Sequence, residues 1–331
     1  MNTALITGAS GQDAFYLSKL LLDRGYKVVA TQRRSARPPA DTVQELLQYK
    51  NYTLVEADVT DISSIMRAIK EVQPTEFYHL AAQSEVGTSF GQPLTTVDIT
   101  GGGTANCLEA LRIIKPNTKF YFAGSSEQFG DTHSGKALGM LHEDSPMHPR
   151  SPYAAAKLMG YYLSRIYRES YNMFVCCGIL FNHESPHRKP YFVTRKITQG
   201  AAHIKHGLQD RIRLGNINAG RDWGHAHDYM MAAYLMLQYD TPDDYIVSTG
   251  KFNSIRTLLD LAFDHAGLDN WRPYIDYDTP ENVRPHDVVR LLGDSSKIKK
   301  ILGWEPVYDF ELLIREMVSH DLARTCNYIN S

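Results

Sequence analysis

Cysteine is scarce. The 331 residues carry four thiols, Cys107, Cys176, Cys177 and Cys326, with no CxxC spacing among them, which suits a reducing cytoplasm and thiols serving as small core residues. Long apolar runs are absent too. The longest, residues 173–181, is nine residues and includes a glycine, against the roughly 18 needed to span a bilayer. The start passes almost directly into Ala4-Leu5-Ile6, without a charged n-region or a long h-region, so no signal peptide is expected and the expected location is the cytoplasm. An excess of one charge is also missing. Thirty-five Lys and Arg face 37 Asp and Glu, a formal net charge of -2. No uniform basic field therefore exists to hold nucleic acid or an anionic membrane, and any anionic ligand depends on local groups. No internal repeat and no low-complexity segment is found.

What is present is a globular composition, 43% hydrophobic and 22% charged, which excludes disorder, collagen-like repeats and a whole-chain coiled coil. At roughly 150 residues per domain the length allows two domains or one enlarged α/β domain. Strands are expected at 3–7, 27–31, 53–57, 76–80 and 119–124, with helical periodicity at 16–24, 62–72 and 104–114. Near-continuous apolar strands alternating with amphipathic helices imply a parallel sheet covered on both faces. After Tyr153 come a helix to about Ser170, a strand at 173–180, a His/Pro/Arg-rich loop at 182–190, and less regular elements to the end. The expected fold is α/β: a doubly wound, Rossmann-like parallel sheet with a smaller, mostly C-terminal α/β substrate domain. Residues 1–180 would form the cofactor domain, with a return at about 212–250, and 181–331 would be mainly the substrate domain.

Between the first strand and first helix lies Gly8-Ala9-Ser10-Gly11-Gln12-Asp13-Ala14, a G-x-x-G-x-x-A dinucleotide turn. Gly8 permits the tight bend, Gly11 lets a pyrophosphate approach the backbone, and Ala14 allows close helix packing; the helix start supplies amides and a positive dipole end. Ser10, Gln12 and Asp13 complete the turn. After the second strand a site that prefers NAD usually offers an acid to the ribose. Here stand Gln32, Arg33, Arg34 and Ser35. Two guanidinium groups and a hydroxyl would attract a 2′-phosphate, so NADP is expected. Asp58 is placed to meet the adenine amino group, with Val59 beside its ring.

Tyr153-Ala154-Ala155-Ala156-Lys157 puts a phenol and an ammonium at i and i+4, hence on one helical face. In a cleft, the Lys charge is expected to lower the phenol pKa so that Tyr153 serves as a base toward a substrate hydroxyl, while Lys157 holds a ribose. The pair follows Gly124-Ser125-Ser126-Glu127, at the end of a strand, and lies downstream of the dinucleotide turn.

With these residues in view, the chain resembles the extended short-chain dehydrogenase/reductases and, within them, the GDP-mannose 4,6-dehydratase family. The matching pieces include the dinucleotide turn, Arg33-Arg34-Ser35, Ala81-Ala82-Gln83-Ser84, Pro149-Arg150-Ser151-Pro152-Tyr153, Leu180-Phe181-Asn182-His183-Glu184-Ser185-Pro186, Phe192-Val193-Thr194-Arg195-Lys196, Arg221-Asp222-Trp223-Gly224 and Gly303-Trp304. The resemblance implies NADP-dependent conversion of GDP-mannose to GDP-4-keto-6-deoxymannose. Tyr153 would take the C4 hydroxyl proton, with Ser125, where the family commonly has Thr, bonding that hydroxyl. Glu127 would take the C5 proton and assist loss of the C6 hydroxyl as water, and Lys157 would complete the catalytic set. A capping acid is the competing reading of Glu127. A related GDP-sugar dehydratase, such as one acting on a GDP-heptose, or a GDP-sugar epimerase or reductase is the alternative activity.

On the nucleotide-sugar side the resemblance implies Asn182, Glu184, Lys196, Arg221 and Arg284, with Arg221 and Arg284 at the diphosphate, and Ser84 and Val86 at the sugar. A Glu184–Lys196 ion pair competes with direct contact. The histidines show no common ligand spacing, so no metal is expected. Ala14 stands where many members have Gly, Glu85 where they have an aromatic or His, and Val283-Arg284-Pro285-His286-Asp287 where Phe-Arg-Pro-Ala-Glu is usual. The resemblance implies a homodimer or homotetramer; the loop 33–48, in a region that contacts a neighbouring subunit in the family, is shorter than usual, which counts against the tetramer.

Overall fold

The computed structural model describes residues 2–130, 139–277 and 291–329. Strand β1 (Thr3–Thr7) lies at the centre of a sheet with β2 (Lys27–Gln32) on one side and β4 (Glu76–His79) on the other, all parallel. Adding β3 (Tyr52–Glu56), β5 (Lys119–Ala123), β6 (Val175–Leu180) and β10 (Asp244–Val247) gives a seven-stranded sheet in the order β10-β6-β5-β4-β1-β2-β3, parallel throughout. Its crossovers include α1 (Gln12–Asp23), α3 (Ile62–Val72), α6 (Gly103–Ile114), α7 (Pro152–Tyr171) and α9 (Ala226–Gln238). This is the doubly wound sheet read from the sequence. No described helix is long and apolar enough to cross a membrane.

Expected and observed boundaries agree to within a residue or two for most of these elements, and α3 matches at both ends. Asp61 caps it by accepting from Ser63 N at 2.9 Å, and left-handed Gln73 (φ 49°) ends it. Helix α1 differs. It begins at Gln12 rather than Tyr16, because Gly11 is still extended (φ -82°, ψ 154°) and the helix starts directly out of the glycine turn. Four short helical pieces carried too little periodicity to be read: α2 (Asp41–Leu46), α4 (Val86–Gly91), α5 (Pro93–Val97), and a π-helical turn at Asp98–Gly102 leading into α6.

A second core gathers Ile197, Leu258, Phe263, Trp271 and Leu313 from α8 (Val193–Lys205), α10 (Ile255–His265), α12 (Phe310–Ile329) and neighbouring turns. Beside it, β7 (Asn182–Glu184), β9 (Gly220–His225) and β11 (Phe252–Ser254) form a three-stranded sheet, and β8 (Ile212–Arg213) pairs with β12 (Ile275–Asp276). The chain then crosses back: α9 and β10 belong to the main layer, and Ile298 and Trp304, within and just after α11 (Ser296–Leu302), join the first core.

Helix α7 sits tight on the sheet. A Cβ at Gly160 would lie 2.5 Å from the Phe122 ring, so only glycine allows this approach. At its other end Arg168 grips Asp244 of β10 with two hydrogen bonds of 2.8 Å, the side chains being 14% and 6% exposed. Asp244→Ala strands a buried guanidinium and should destabilise the protein by about 3–5 kcal/mol, read as a lower urea midpoint.

Candidate active site

At the end of β1 the chain reverses through Gly8 (φ +82°), whose hypothetical Cβ would come 3.0 Å from Ala81 Cα. Backbone conformation and space both demand glycine there. A cavity of about 620 Å³ opens over the turn, lined by Gly8, Ser10, Gly11, Gln12, Asp13, Arg33, Asp58 and Val59. A Cβ at Gly11 would meet only Gly8 O, at 3.4 Å, so the backbone lies open to the cavity. Asp58 turns the chain beyond β3, its Oδ1 accepting from Thr60 N (2.9 Å) and Thr60 Oγ1 (2.8 Å). Arg34 and Ser35 are exposed and outside the lining; Ser35 Oγ accepts from Arg37 N at 3.1 Å.

A second cavity, of about 560 Å³, shares Asp13, Ser84, Glu85 and Arg188 with the first. β5 runs into Gly124 and Ser125, and the 3-10 turn Ser126–Phe129 carries Glu127 into the lining. Ser125 caps that turn, accepting from Glu127 N at 3.3 Å. Opposite, Ser151 caps α7 by accepting from Ala154 N (3.1 Å), with Pro152 in its first turn, so Tyr153 and Lys157 fall one turn apart on the cavity wall. Lys157 Nζ donates to Ala123 O at 2.5 Å and lies 5.9 Å from the Tyr153 ring centre.

Burial pushes the Lys157 ammonium down to about 8. Burial pushes Tyr153 up to about 12, opposed by its hydrogen bond with Ser125 and, more weakly, by the Arg188 charge. The sequence reading gave that lowering to Lys157. The ammonium is instead directed to the Ala123 carbonyl, and Ser125 is the main group favouring the phenolate.

The seam between the cavities is a set of bonds across the two cores. Asp13 accepts from His183 Nε2 at 3.0 Å, Gln12 Nε2 donates to His183 O at 2.8 Å, and Ser185 Oγ donates to Gln12 Oε1 at 2.8 Å. Burial alone would raise the Asp13 pKa, but the charge and hydrogen bond of His183 outweigh it and the pKa is lowered. For His183, burial pulls the pKa down and Asp13 more than compensates, so it is raised. The side chains of Gln12 and Asp13, expected at a cofactor, are thus occupied by protein partners.

Glu184, expected at the substrate, is likewise engaged. Its Oε2 accepts from Thr194 Oγ1 (2.5 Å) and lies 3.2 Å from Arg188 Nε, rather than pairing with Lys196. Ser84, Val86, Asn182, Lys196 and Arg221 line the second cavity as a group. Burial lowers the Lys196 pKa. Arg284 lies outside the described residues. Arg188 went unread in the sequence: it lines both cavities, with its guanidinium carbon 3.5 Å from the Phe192 ring centre. Only its place in the basic run His187-Arg188-Lys189 could have pointed to it. Among the described residues no cluster of His, Cys, Asp and Glu could hold a metal.

A doubly wound sheet with a glycine turn after β1 and a Tyr–Lys pair on the helix after β5 defines a short-chain dehydrogenase/reductase architecture. Solved structures of this fold agree. The chain superposes on Thermus thermophilus UDP-glucose 4-epimerase in complex with NAD (TM-score 0.83, 25% identity, 96% of this chain and 98% of that one). It also superposes on RMD from Pseudomonas aeruginosa complexed with NADPH (TM-score 0.79, 25% identity, 98% of this chain and 100% of that one). The family model described as GDP-mannose 4,6 dehydratase matches residues 5–317. GDP-mannose 4,6 dehydratase 2 of Arabidopsis thaliana is 45% identical over 329 residues, covering 96% of this chain and 86% of its own. The chain belongs to the GDP-mannose 4,6-dehydratase family and is a hydro-lyase that removes water from GDP-mannose.

The Asp13–His183 pair has a pH signature. Asp13, with a depressed pKa, contributes stability that is present above the ordinary 3.8 and lost as pH falls through its folded value. His183, with a raised pKa, contributes stability that is present below 6.5 and lost as pH rises through its folded value. Asp13→Asn removes the carboxylate but keeps the burial. The His183 imidazole should then titrate below 6.5 by NMR, and the stability lost should be largest between the two ordinary values.

Proposed function

We propose that the chain dehydrates GDP-mannose to GDP-4-keto-6-deoxymannose with NADP as its nicotinamide cofactor, seated over the glycine turn. The open backbone at Gly11 and the start of α1 suit a pyrophosphate. Held by the glycine turn, the cofactor would supply reversible hydride acceptance, which leaves the overall dehydration without net redox change. The two solved neighbours named above carry NAD in one case and NADPH in the other, so the choice rests on this chain's own residues. Arg33 in the cavity wall, with Arg34 and Ser35 beside it and no acid after β2, favours a 2′-phosphate. Asp58 and Val59 would take the adenine.

The observation that carries the chemistry is that Glu127 lines the same cavity as Ser125, Tyr153 and Lys157. Oxidation of an alcohol needs only the Tyr–Lys pair; loss of water needs a second acid/base. Tyr153 takes the C4 hydroxyl proton while Ser125 bonds both the phenol and that hydroxyl. With its pKa pushed up to about 12, the phenol depends on this bond to stabilise its anion. The C4 ketone makes C5 acidic, Glu127 removes that proton, and the same carboxyl delivers it to the departing C6 hydroxyl. We assign Arg221 and Lys196 to the GDP diphosphate, Arg188 to the junction of the two ligands, and Ser84, Val86 and Asn182 to the sugar side, on the support that all six line the second cavity. A homodimer is supported by an apolar stripe on the adjoining helices α5 and α7, where Leu94 is 83% exposed beside Val97, Met159, Tyr162 and Ile166.

Glu127→Gln should still form NADPH on mixing with GDP-mannose while water loss, followed by mass spectrometry, slows by about 100-fold or more. Full-rate product from this variant would overturn the mechanism. Arg33→Ala should weaken NADP by about tenfold, 1.4 kcal/mol, and leave NAD unchanged in a fluorescence titration.

A further inference from the structure

Glu85 stands between Ser84 and Val86, on the strip of wall that both cavities share, just before α4. It is braced at two points. Its carbonyl accepts from Gln83 Nε2 (3.2 Å), and its Oε2 accepts from Thr88 Oγ1 (2.5 Å). The other oxygen, Oε1, has no donor among the described residues, and no described cation pairs with the carboxylate. Its charge also reaches Tyr191 across the seam, whose pKa is raised by burial first and then by Glu85.

An unpaired carboxylate is out of place in a wall that takes two polyanions. Facing a phosphate at close range it would repel, like charge against like. The parts of a nucleotide sugar that it can face favourably are uncharged hydroxyl groups, which donate to a carboxylate in a charge-assisted bond. Ser84 and Val86 flank it, and Ser125, Glu127 and Tyr153 line the same cavity. That puts it near the hexose rather than the diphosphate.

We propose that Glu85 selects the sugar: its free carboxylate oxygen accepts a hydrogen bond from a hydroxyl of a neutral hexose, and its charge rejects a GDP-sugar bearing a carboxylate of its own. This rests on the assignment of GDP-mannose to the cavity. The repulsion acts on binding, so it reads out without turnover.

Calorimetric dissociation constants for GDP, GDP-mannose and GDP-mannuronate, measured with NADP present in a Tyr153→Phe background, test it. The parent should bind GDP-mannose about tenfold or more tighter than GDP-mannuronate, and adding Glu85→Gln should bring the ratio within about threefold with GDP unchanged. Adding Glu85→Asp, which keeps the charge, should keep most of the parent's ratio. An unchanged ratio in Glu85→Gln overturns the proposal, as does an equal loss of GDP affinity, which would mean that Glu85 merely props α4. A parent that binds GDP-mannose no tighter than GDP overturns the substrate assignment and the selector with it. Failure of the selector alone leaves that preference intact.

Discussion

Everything at this site depends on the contact between the Asp13 carboxylate and the His183 imidazole. Asp13 belongs to the first turn of α1, whose start is the dinucleotide turn; His183 belongs to β7, the strand on which the second unit is built. The two residues are 170 positions apart, and each is buried enough that its charge would be unfavourable alone. Each favours the charged form of the other, lowering the Asp13 pKa and raising that of His183. Behind them His183 stacks on Tyr229 of α9, ring centres 4.6 Å apart, and its Nδ1 bonds Phe181 O at 2.9 Å. The imidazole is thus fixed from three sides, and the spacing of the two cavities is fixed with it.

The same logic of paired and unpaired charge organises the walls. Among the acids lining the cavities, Asp13 has His183 and Glu184 has Arg188 and Thr194. These hold the structure together. Within the second cavity Glu127 and Glu85 have no ion-pair partner among the described residues, and they are the two acids of that cavity left to meet a substrate. A carboxylate kept free of cations in a cavity for anionic ligands is unfavourable unless chemistry or recognition uses it. The basic groups show a similar division. Arg168 and Arg195 are held by Asp244 and Asp321, while Arg33 and Lys196 line cavities.

Much of this was legible beforehand. Strand and helix periodicity placed β1 through β6 and α3, because those segments have strong, long patterns and recognisable caps. The short helices 41–46, 86–91 and 93–97 offer less than two turns of pattern each, so nothing marked them. The dinucleotide turn and the Tyr–Lys pair are recognisable because each depends on a local spacing, and the role of Glu127 comes from the family resemblance. Gln12, Asp13 and Glu184, expected to face ligands, line the cavities and also bond protein partners up to 173 residues away, which no local pattern encodes. Arg188 was missed for the converse reason: in the sequence it is one cation in a basic run, and only the fold puts it between two cavities.

The order of strands and helices, the glycine that must bend at position 8, the Tyr–Lys pair and the basic pair after β2 all follow from residue type and spacing. Those depend on short-range sterics, hydrogen bonding and periodicity, which act within a few residues. The electrostatic state of the site does not. That Tyr153 is pushed up by burial and eased by Ser125, that Lys157 is turned to Ala123 O, and that Glu85 is left unpaired are outcomes of which side chains the folded chain brings within a few ångströms. Burial and pairing are properties of the assembled interior, so they exist only once the two cores have closed on each other.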